Sequence, residues 1–264
     1  MIPTFQRLFG AKTVQQAVPE SRRQRIDLGS GLPQYPIYAI GDVHGRIDLL
    51  QHAESLVAGD LMANGKSGII VLLGDYVDRG KSSSAVLDYL CAPSPYGLQR
   101  FLVCGNHDDA FLQFFEDPAR HLNWLDFGGR QTLLSYGIDA DYMLSRGKNG
   151  IEDLKRVVND TIPVQHIQLL RDMVGYIRIG SYIFVHAGLR PGVALTDQDD
   201  RDLMWIREPF LSRGPELPFL VVHGHTVTEQ PETGRNRIGI DTGAVNTNRL
   251  TVLKLEDGKG FLIS

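Results

Sequence analysis

The run Ile69-Ile70-Val71-Leu72-Leu73, followed at once by Gly74-Asp75-Tyr76-Val77-Asp78-Arg79-Gly80, constrains this chain more than any other stretch. Consecutive apolar residues bounded by glycine predict a strand buried on both faces, as in the middle of an α/β sheet. Ligands of such sheets gather beyond the C-terminal ends of the strands. The loop found there carries two carboxylates and an arginine within five residues. Asp75 suits a cation and Arg79 an anion, and phosphoryl chemistry on a metal is the foremost chemistry that needs both.

The pattern recurs on either side. Ile37-Tyr38-Ala39-Ile40 reads as a strand ending in Gly41-Asp42-Val43-His44-Gly45, with a helix over Arg46 to Val57. Gly68 to Leu73 is the second strand, and Ser82 to Leu90 its helix. Phe101-Leu102-Val103 is the third, ending in Cys104-Gly105-Asn106-His107-Asp108, with a helix from Asp109 to Phe115. Three strand–loop–helix units in succession predict a largely parallel sheet with right-handed crossovers. All three loops then fall on one sheet edge, where Asp42, His44, Asp75, Asn106 and His107 converge.

Further along, residues 124–175 predict a helical cover, with a loop at Gly128-Gly129-Arg130 and helices over Gly150 to Asn159 and Pro163 to Met173. Tyr182-Ile183-Phe184-Val185 reads as a strand ending in His186-Ala187-Gly188. A polar loop over 190–217 contains Trp205-Ile206-Arg207, and Phe219 to Val222 leads into His223-Gly224-His225-Thr226. Segments 238–243, 250–255 and 261–263 look like closing strands, expected to build a second sheet packed on the first. His52, His121 and His166 are expected to face solvent.

The main domain is expected over 36–264, preceded by an arm of residues 1–35. That arm holds Arg7, Lys12, Arg22, Arg23 and Arg25 against only Glu20 and Asp27, while the whole chain carries a formal charge of −4. Ile2, Phe5, Leu8 and Phe9 have helical spacing, so the arm reads either as an amphipathic partner-touching segment or as a tail folded back on the domain or frayed. The net negative charge argues against a general nucleic-acid binder. Cys91 and Cys104 lack CxxC spacing, which fits free thiols in a reducing compartment. There is no apolar run of membrane-spanning length and no signal-peptide core, so a cytoplasmic protein is expected.

At the strand ends stand Asp42, His44, Asp75, Asn106, His186 and His225. With no thiolate among them, a structural zinc site is disfavoured, and the N and O donors suit manganese, iron, zinc or magnesium. Six groups are too many for one catalytic ion that keeps open positions, but they suit two divalent ions sharing a carboxylate, with Asp75 as the natural bridge. Such ions clamp an in-line displacement and lower the pKa of bound water to about 7. Direct attack by metal-bound hydroxide would cleave a phosphomonoester, with Arg79 and Arg207 holding the phosphate. His107 is placed to protonate the leaving alcohol, and Asp78 to stabilise its imidazolium.

These motifs resemble the signature of calcineurin-like metallophosphoesterases: Gly41-Asp42-Val43-His44-Gly45, Gly74-Asp75-Tyr76-Val77-Asp78-Arg79-Gly80, Gly105-Asn106-His107-Asp108, His186-Ala187-Gly188 and Gly224-His225-Thr226. The Asp78-Arg79-Gly80 ending is similar to the phosphoprotein phosphatase branch, in its bacterial and phage serine/threonine form. The resemblance implies an αββα sandwich of two mixed sheets, α/β in class, with a dinuclear site at the sheet edge. It implies Asp42, His44 and Asp75 on one ion, and Asp75, Asn106, His186 and His225 on the other, with Mn2+ the usual activating ion. It implies a phosphoprotein or small phosphorylated substrate. Bacterial diadenosine tetraphosphatases share Gly-Asn-His-Asp, so a dinucleoside polyphosphate is the alternative, with Tyr76, Trp124 and Phe127 as candidates for a base pocket. Three departures stand out, the first being Asp108 where eukaryotic members have glutamate. Cys104 replaces the arginine that precedes Gly-Asn-His in phage-type enzymes, leaving Arg130 as a candidate substitute, and His223 competes with His225.

Overall fold

The computed structural model describes residues 22–31 and 33–263. The candidate amphipathic residues 2–9 lie outside them. Strand β1 (Arg25–Asp27) pairs parallel with a strand some 150 residues later, so this part of the expected arm belongs to a sheet. Strand β2 (Ile37–Ile40) leads to helix α1 (Ile47–Asn64), β3 (Ile69–Leu72) to α2 (Ser83–Cys91), and β4 (Gln99–Leu102) to α3 (Asn106–Glu116). Helix α1 runs seven residues past its expected end because Gly65, at φ 61°, closes it with a left-handed turn in which Lys66 N–H donates to Leu61 O.

Next come α4 (Gly129–Ser135), α5 (Ala140–Leu144), α6 (Gly150–Thr161) and α7 (Val164–Asp172). Helix α4 starts where a loop was expected, with Gly128 making the turn. Helices α4 and α7 pack on α2, and α7 also on α3, so this region thickens the helical layer. Strands β5 (Tyr176–Ile179) and β6 (Tyr182–Val185) form a tight antiparallel hairpin. The expected polar loop contains α8 (Asp200–Trp205) and α9 (Phe210–Arg213). The chain closes with β7 (Leu220–His223), β8 (Glu232–Gly234), β9 (Arg237–Gly239), α10 (Ala244–Thr247), β10 (Val252–Glu256) and β11 (Lys259–Ile263).

The strands make two mixed sheets, in the orders β11-β10-β2-β3-β4 and β1-β5-β6-β7-β9-β8. The expectation that all closing segments build the second sheet is corrected: β10 pairs antiparallel with β2 and, with β11, extends the first sheet, and of the three expected segments 238–243 alone, as β9, joins the second. Strand β2 uses one edge on β3, and its other edge is free to take β10. Alternation explains why β2 and β3 are apolar throughout. Tyr38, Ile40, Ile70 and Leu72 face α1 and α2, while Ile37, Ala39, Ile69, Val71 and Leu73 face the second sheet. The outer face of that sheet, with Ile183, Val185 and Val221, is covered by Leu203 of α8, Phe210 of α9 and Ile206 between them. The layers are helix, sheet, sheet, helix, which holds the C-terminal ends of β2, β3, β6 and β7 at one edge.

His166 is not solvent-facing. It is 2 % exposed, with Nδ1 at 2.7 Å from the Tyr136 hydroxyl and Nε2 at 3.0 Å from Asp88. Helix α7 is covered by α2 on that side, which helical spacing alone does not disclose.

Candidate active site

The loop after β2 delivers Asp42 and His44, that after β3 delivers Asp75, Asp78 and Arg79, and Asn106 and His107 open α3. His186 follows β6 and His225 follows β7. Asp75 stands at the centre. Its Oδ2 lies 3.5 Å from His44 Nε2 and its Oδ1 3.5 Å from His186 Nε2. Asn106 Oδ1 lies 2.9 Å from both His186 Nε2 and His225 Nδ1. The Asp42 carboxylate accepts from His225 N–H at 3.1 Å. All six are buried, His225 being the most open at 8 %.

The residues fit a bound cation on their own chemistry. His44 Nδ1 sits 2.8 Å from Val77 O and His186 Nδ1 2.8 Å from Leu73 O. A carbonyl only accepts, so each imidazole directs its Nδ1–H there, which in the neutral ring leaves Nε2 as the lone-pair nitrogen. His186 Nε2 lies 2.9 Å from Asn106 Oδ1 and 3.5 Å from Asp75 Oδ1, two oxygens of a kind that ligate a cation together with an imidazole nitrogen. His44 Nε2 and His225 Nε2 are buried without a hydrogen-bond partner among the described residues. Burial pushes the His44 and His225 imidazoles down to about 3, so both are neutral and ready to ligate at pH 7. Against its own burial, Asp75 is drawn well below the usual carboxylate range by His186, His107 and His44. Asp42 is pushed well up by burial and by the charges of Asp241 and Asp75. Crowded carboxylates of this kind are relieved by a cation.

The backbone is strained where these groups meet. His44, Asp75, Asp78, Arg79 and His225 all have φ between 43° and 71°, five of the nine described non-glycine residues with positive φ. Each such residue costs of order 1 kcal/mol, and such strain persists where surrounding structure over-determines it. Two glycines make room for the carboxylates: a Cβ on Gly105 would fall 2.1 Å from Asp75 Oδ1, and one on Gly224 2.0 Å from Asp42 Oδ1. Asp108, which the sequence reading carried only as a motif letter, fastens two loops together. Its carboxylate accepts from Asp75 N–H at 2.7 Å, Tyr76 N–H at 2.9 Å and Gly105 N–H at 2.9 Å.

Beside the cluster, His107 Nδ1 donates to Asp78 Oδ2 at 2.7 Å and its Nε2 accepts from Arg79 Nη2 at 2.9 Å. Asp78 also accepts from Trp124 Nε1 at 2.8 Å and Thr132 Oγ1 at 2.7 Å. These two partners come from the helical region and were missed in the sequence, since nothing local links them to Asp78. Burial pushes the His107 imidazole down, but the Asp75 charge and the Asp78 contact outweigh it and the net direction is up. Arg207 is exposed and close enough for its charge to lower the His225 pKa. Arg130 does not reach the site, being held by Asp126 and Asp141 on the surface. His223 points away from the cluster, towards Arg237 and the Phe210 ring, so only His225 joins Asn106.

The sequence profile described as Calcineurin-like phosphoesterase matches residues 35–250. The chain belongs to the calcineurin-like metallophosphoesterase family. It is therefore a hydrolase of phosphoesters, and the family works with a dinuclear metal centre. Serine/threonine-protein phosphatase 2 of Escherichia coli (strain K12) is 25% identical over 90% of this chain and 100% of its own length. The bis(5'-nucleosyl)-tetraphosphatase PrpE of Bacillus thuringiensis (strain Al Hakam) is also 25% identical, over 81% of this chain and 88% of its own. Among solved structures, one assigned provisionally as a diadenosine tetraphosphatase aligns with a TM-score of 0.60 at 20% identity, covering 91% of this chain and 97% of the other. The cold-active protein-tyrosine phosphatase of a psychrophilic Shewanella aligns at 0.54 and 17%, covering 92% and 83%. These structural likenesses bear on the fold alone.

Among the described residues of this metallophosphoesterase, two groups of side chains have ligand atoms close enough to hold a metal: His44, Asp75 and His107, and Asp75, His186 and His225. Asp75 is common to both. His107 already spends both ring nitrogens, on Asp78 and Arg79, while the buried carboxylates of Asp42 and Asp241 both lie close enough to Asp75 for their charges to interact. A cavity of about 140 Å³ opens beside Asn106 and His107, lined also by His121, Trp124, Phe127 and Trp205. Of the three aromatics considered for a base pocket, Tyr76 and Trp124 are buried in the core, and Phe127 is exposed. Trp205 is its unforeseen companion, with ring centroids 6.5 Å apart. Among the described residues, no helix is long and apolar enough to cross a membrane.

Proposed function

We propose that this metallophosphoesterase hydrolyses phosphoserine and phosphothreonine monoesters in proteins. The observation that carries the reading is the buried His107–Asp78 pair, braced by Trp124 and Thr132, with Arg79 on the outer nitrogen. An alkoxide leaving group is strongly basic and needs a proton in the transition state. A phosphate leaving group, as in a dinucleoside polyphosphate, is weakly basic and needs none. A built proton donor therefore favours an alkyl phosphate as substrate.

In this reading Asp42, His44 and Asp75 hold one divalent ion, and Asp75, Asn106, His186 and His225 the other, with Mn2+ the expected species. Bound there, the ions would supply Lewis acidity and lower the pKa of the attacking water. The remaining work falls to the chain. Arg79 and Arg207 grip the non-bridging phosphate oxygens. When phosphate draws Arg79 off His107 Nε2, that nitrogen is free to carry a proton, which Asp78 and Asp75 stabilise. His107 then delivers it to the departing seryl or threonyl oxygen.

A second reading rests on Phe127 and Trp205, exposed rings beside the small cavity that offer faces for a nucleobase. Side-by-side turnover decides between the two. Protein stripped with chelator and restored with Mn2+ is offered a phosphothreonine peptide and diadenosine tetraphosphate. The proposal expects the higher kcat/KM on the peptide. A higher value on the dinucleotide overturns it in favour of the second reading.

A further inference from the structure

A groove of about 920 Å³ runs away from the candidate active site, sharing Gln113, His121 and Trp205 with the small cavity beside His107. Helix α3 lies along it: Asn106 at the helix start lines the small cavity, while Glu116 at its end lines the groove, as does Arg120 in the turn that follows. The groove is charged, and its charges do not cancel. Asp109 is taken by Arg23 at 2.7 Å, Asp200 by Arg25 at 2.6 Å, and Glu116 by Arg171 at 3.0 Å. That leaves Asp117 as the one lining carboxylate outside an ion pair among the described residues. Against it stand three exposed lining guanidinium groups with no ion pair among the described residues. These are Arg120, Arg201 and Arg22, the last donating only to the Thr196 carbonyl.

Resting on the protein-phosphatase reading, we infer that this groove receives the chain flanking the phosphorylated residue, and that it selects acidic flanks. Its surplus of unpaired guanidinium groups is complementary to carboxylates, and arginine binds carboxylates in a bidentate fashion. The ten steps from Asn106 to Glu116 span about 15 Å of helix. An extended peptide covers that in about four to five residues at roughly 3.3 Å each. Carboxylates within about five positions of the phosphorylated residue therefore reach this groove and its unpaired arginines.

The test compares phosphothreonine peptides carrying three consecutive aspartates at positions three to five, before or after the phosphothreonine, with alanine counterparts. The full chain loaded with Mn2+ is used. One acidic peptide is expected to exceed its alanine counterpart in kcat/KM by about fivefold, the size two or three exposed ion pairs supply, with the difference in KM. The preference should vanish in high salt, since exposed pairs are screened. It should also vanish or reverse in the double variant Arg120→Glu, Arg201→Glu. The ratio of two peptides on one preparation cancels the active fraction, so partial misfolding of the variant does not blur the result. Equal kcat/KM for acidic and neutral peptides overturns the groove inference and leaves the protein-phosphatase reading standing. A preference that survives the double variant also overturns it. If no peptide is turned over while diadenosine tetraphosphate is, the protein-phosphatase reading fails and the groove inference with it.

Discussion

Asp78→Asn isolates charge from shape. The carboxylate uses Oδ2 for His107 and Trp124, and Oδ1 for Thr132. An asparagine can place its carbonyl at Oδ2 and keep both donors there. Its NH2 then faces Thr132 Oγ1, which can accept from it and turn its own proton to Ser83 Oγ at 3.2 Å. The fold survives, but the imidazolium of His107 loses its nearest counter-charge. An opposite charge at this range raises a pKa by about 1–3 units, and general acid catalysis contributes about 10²–10⁴-fold. His107 acts as an acid only while protonated. Its raised pKa holds the proton as pH climbs, and activity on poor leaving groups falls once pH passes that value. The variant should therefore lose kcat on a phosphothreonine peptide by about 10–10³-fold at pH 8, and its alkaline limb should move to lower pH by about 1–3 units. Turnover of p-nitrophenyl phosphate, whose leaving group needs no proton, should change by less than about threefold. Steady-state kcat against pH for both substrates is the assay. Equal losses on the two, or an unmoved alkaline limb, would refute the acid role of His107.

Arg207→Ala should raise KM and weaken inhibition by inorganic phosphate about tenfold, the loss of one charge-assisted contact; unchanged phosphate inhibition counts against Arg207 as a phosphate ligand. Arg100→Ala leaves Glu54, 0 % exposed, without the guanidinium that now donates to both its oxygens. Urea unfolding should show a loss of about 3–5 kcal/mol, and a loss below 1 kcal/mol would mean that water reaches Glu54. Burial lowers the His223 imidazole to about 4, below its unfolded value of 6.5. Because the unfolded chain then binds the extra proton, this contribution is complete above about pH 6.5 and is lost as pH falls towards 4. The unfolding free energy of the wild type minus that of His223→Phe should drop by about 3 kcal/mol across that window, and a flat difference would show that His223 is solvated.

The three strand–loop–helix units were legible in sequence because each is local. An apolar run, a glycine-bounded loop and an amphipathic helix follow one another within about 30 residues. Their order predicts a parallel sheet, and that sheet predicts one shared edge, so Asp42, Asp75 and Asn106 could be brought together before any coordinates. His186 and His225 were found the same way, each just past an apolar strand.

What local pattern does not contain is which distant segment occupies a free edge or covers a face. Strand β1 is three residues long and pairs with a strand some 150 residues away, so its sequence carries no periodic signal. Placing β10 on β2 rather than in the second sheet is a choice between open edges that no local pattern makes. His223 and His225 are two residues apart with the same side chain, and the positive φ of His225 turns it onto Asn106 while His223 stays against Phe210. Trp124 and Thr132 reach Asp78 from the helical layer, and Asp108 ties the second loop to the third. The sequence alone determined which groups assemble at the sheet edge, since strand ends and residue types are local properties. Only the tertiary structure decided how each is oriented, braced and charged, because burial, hydrogen-bond partners and counter-charges come from elements far apart in the chain.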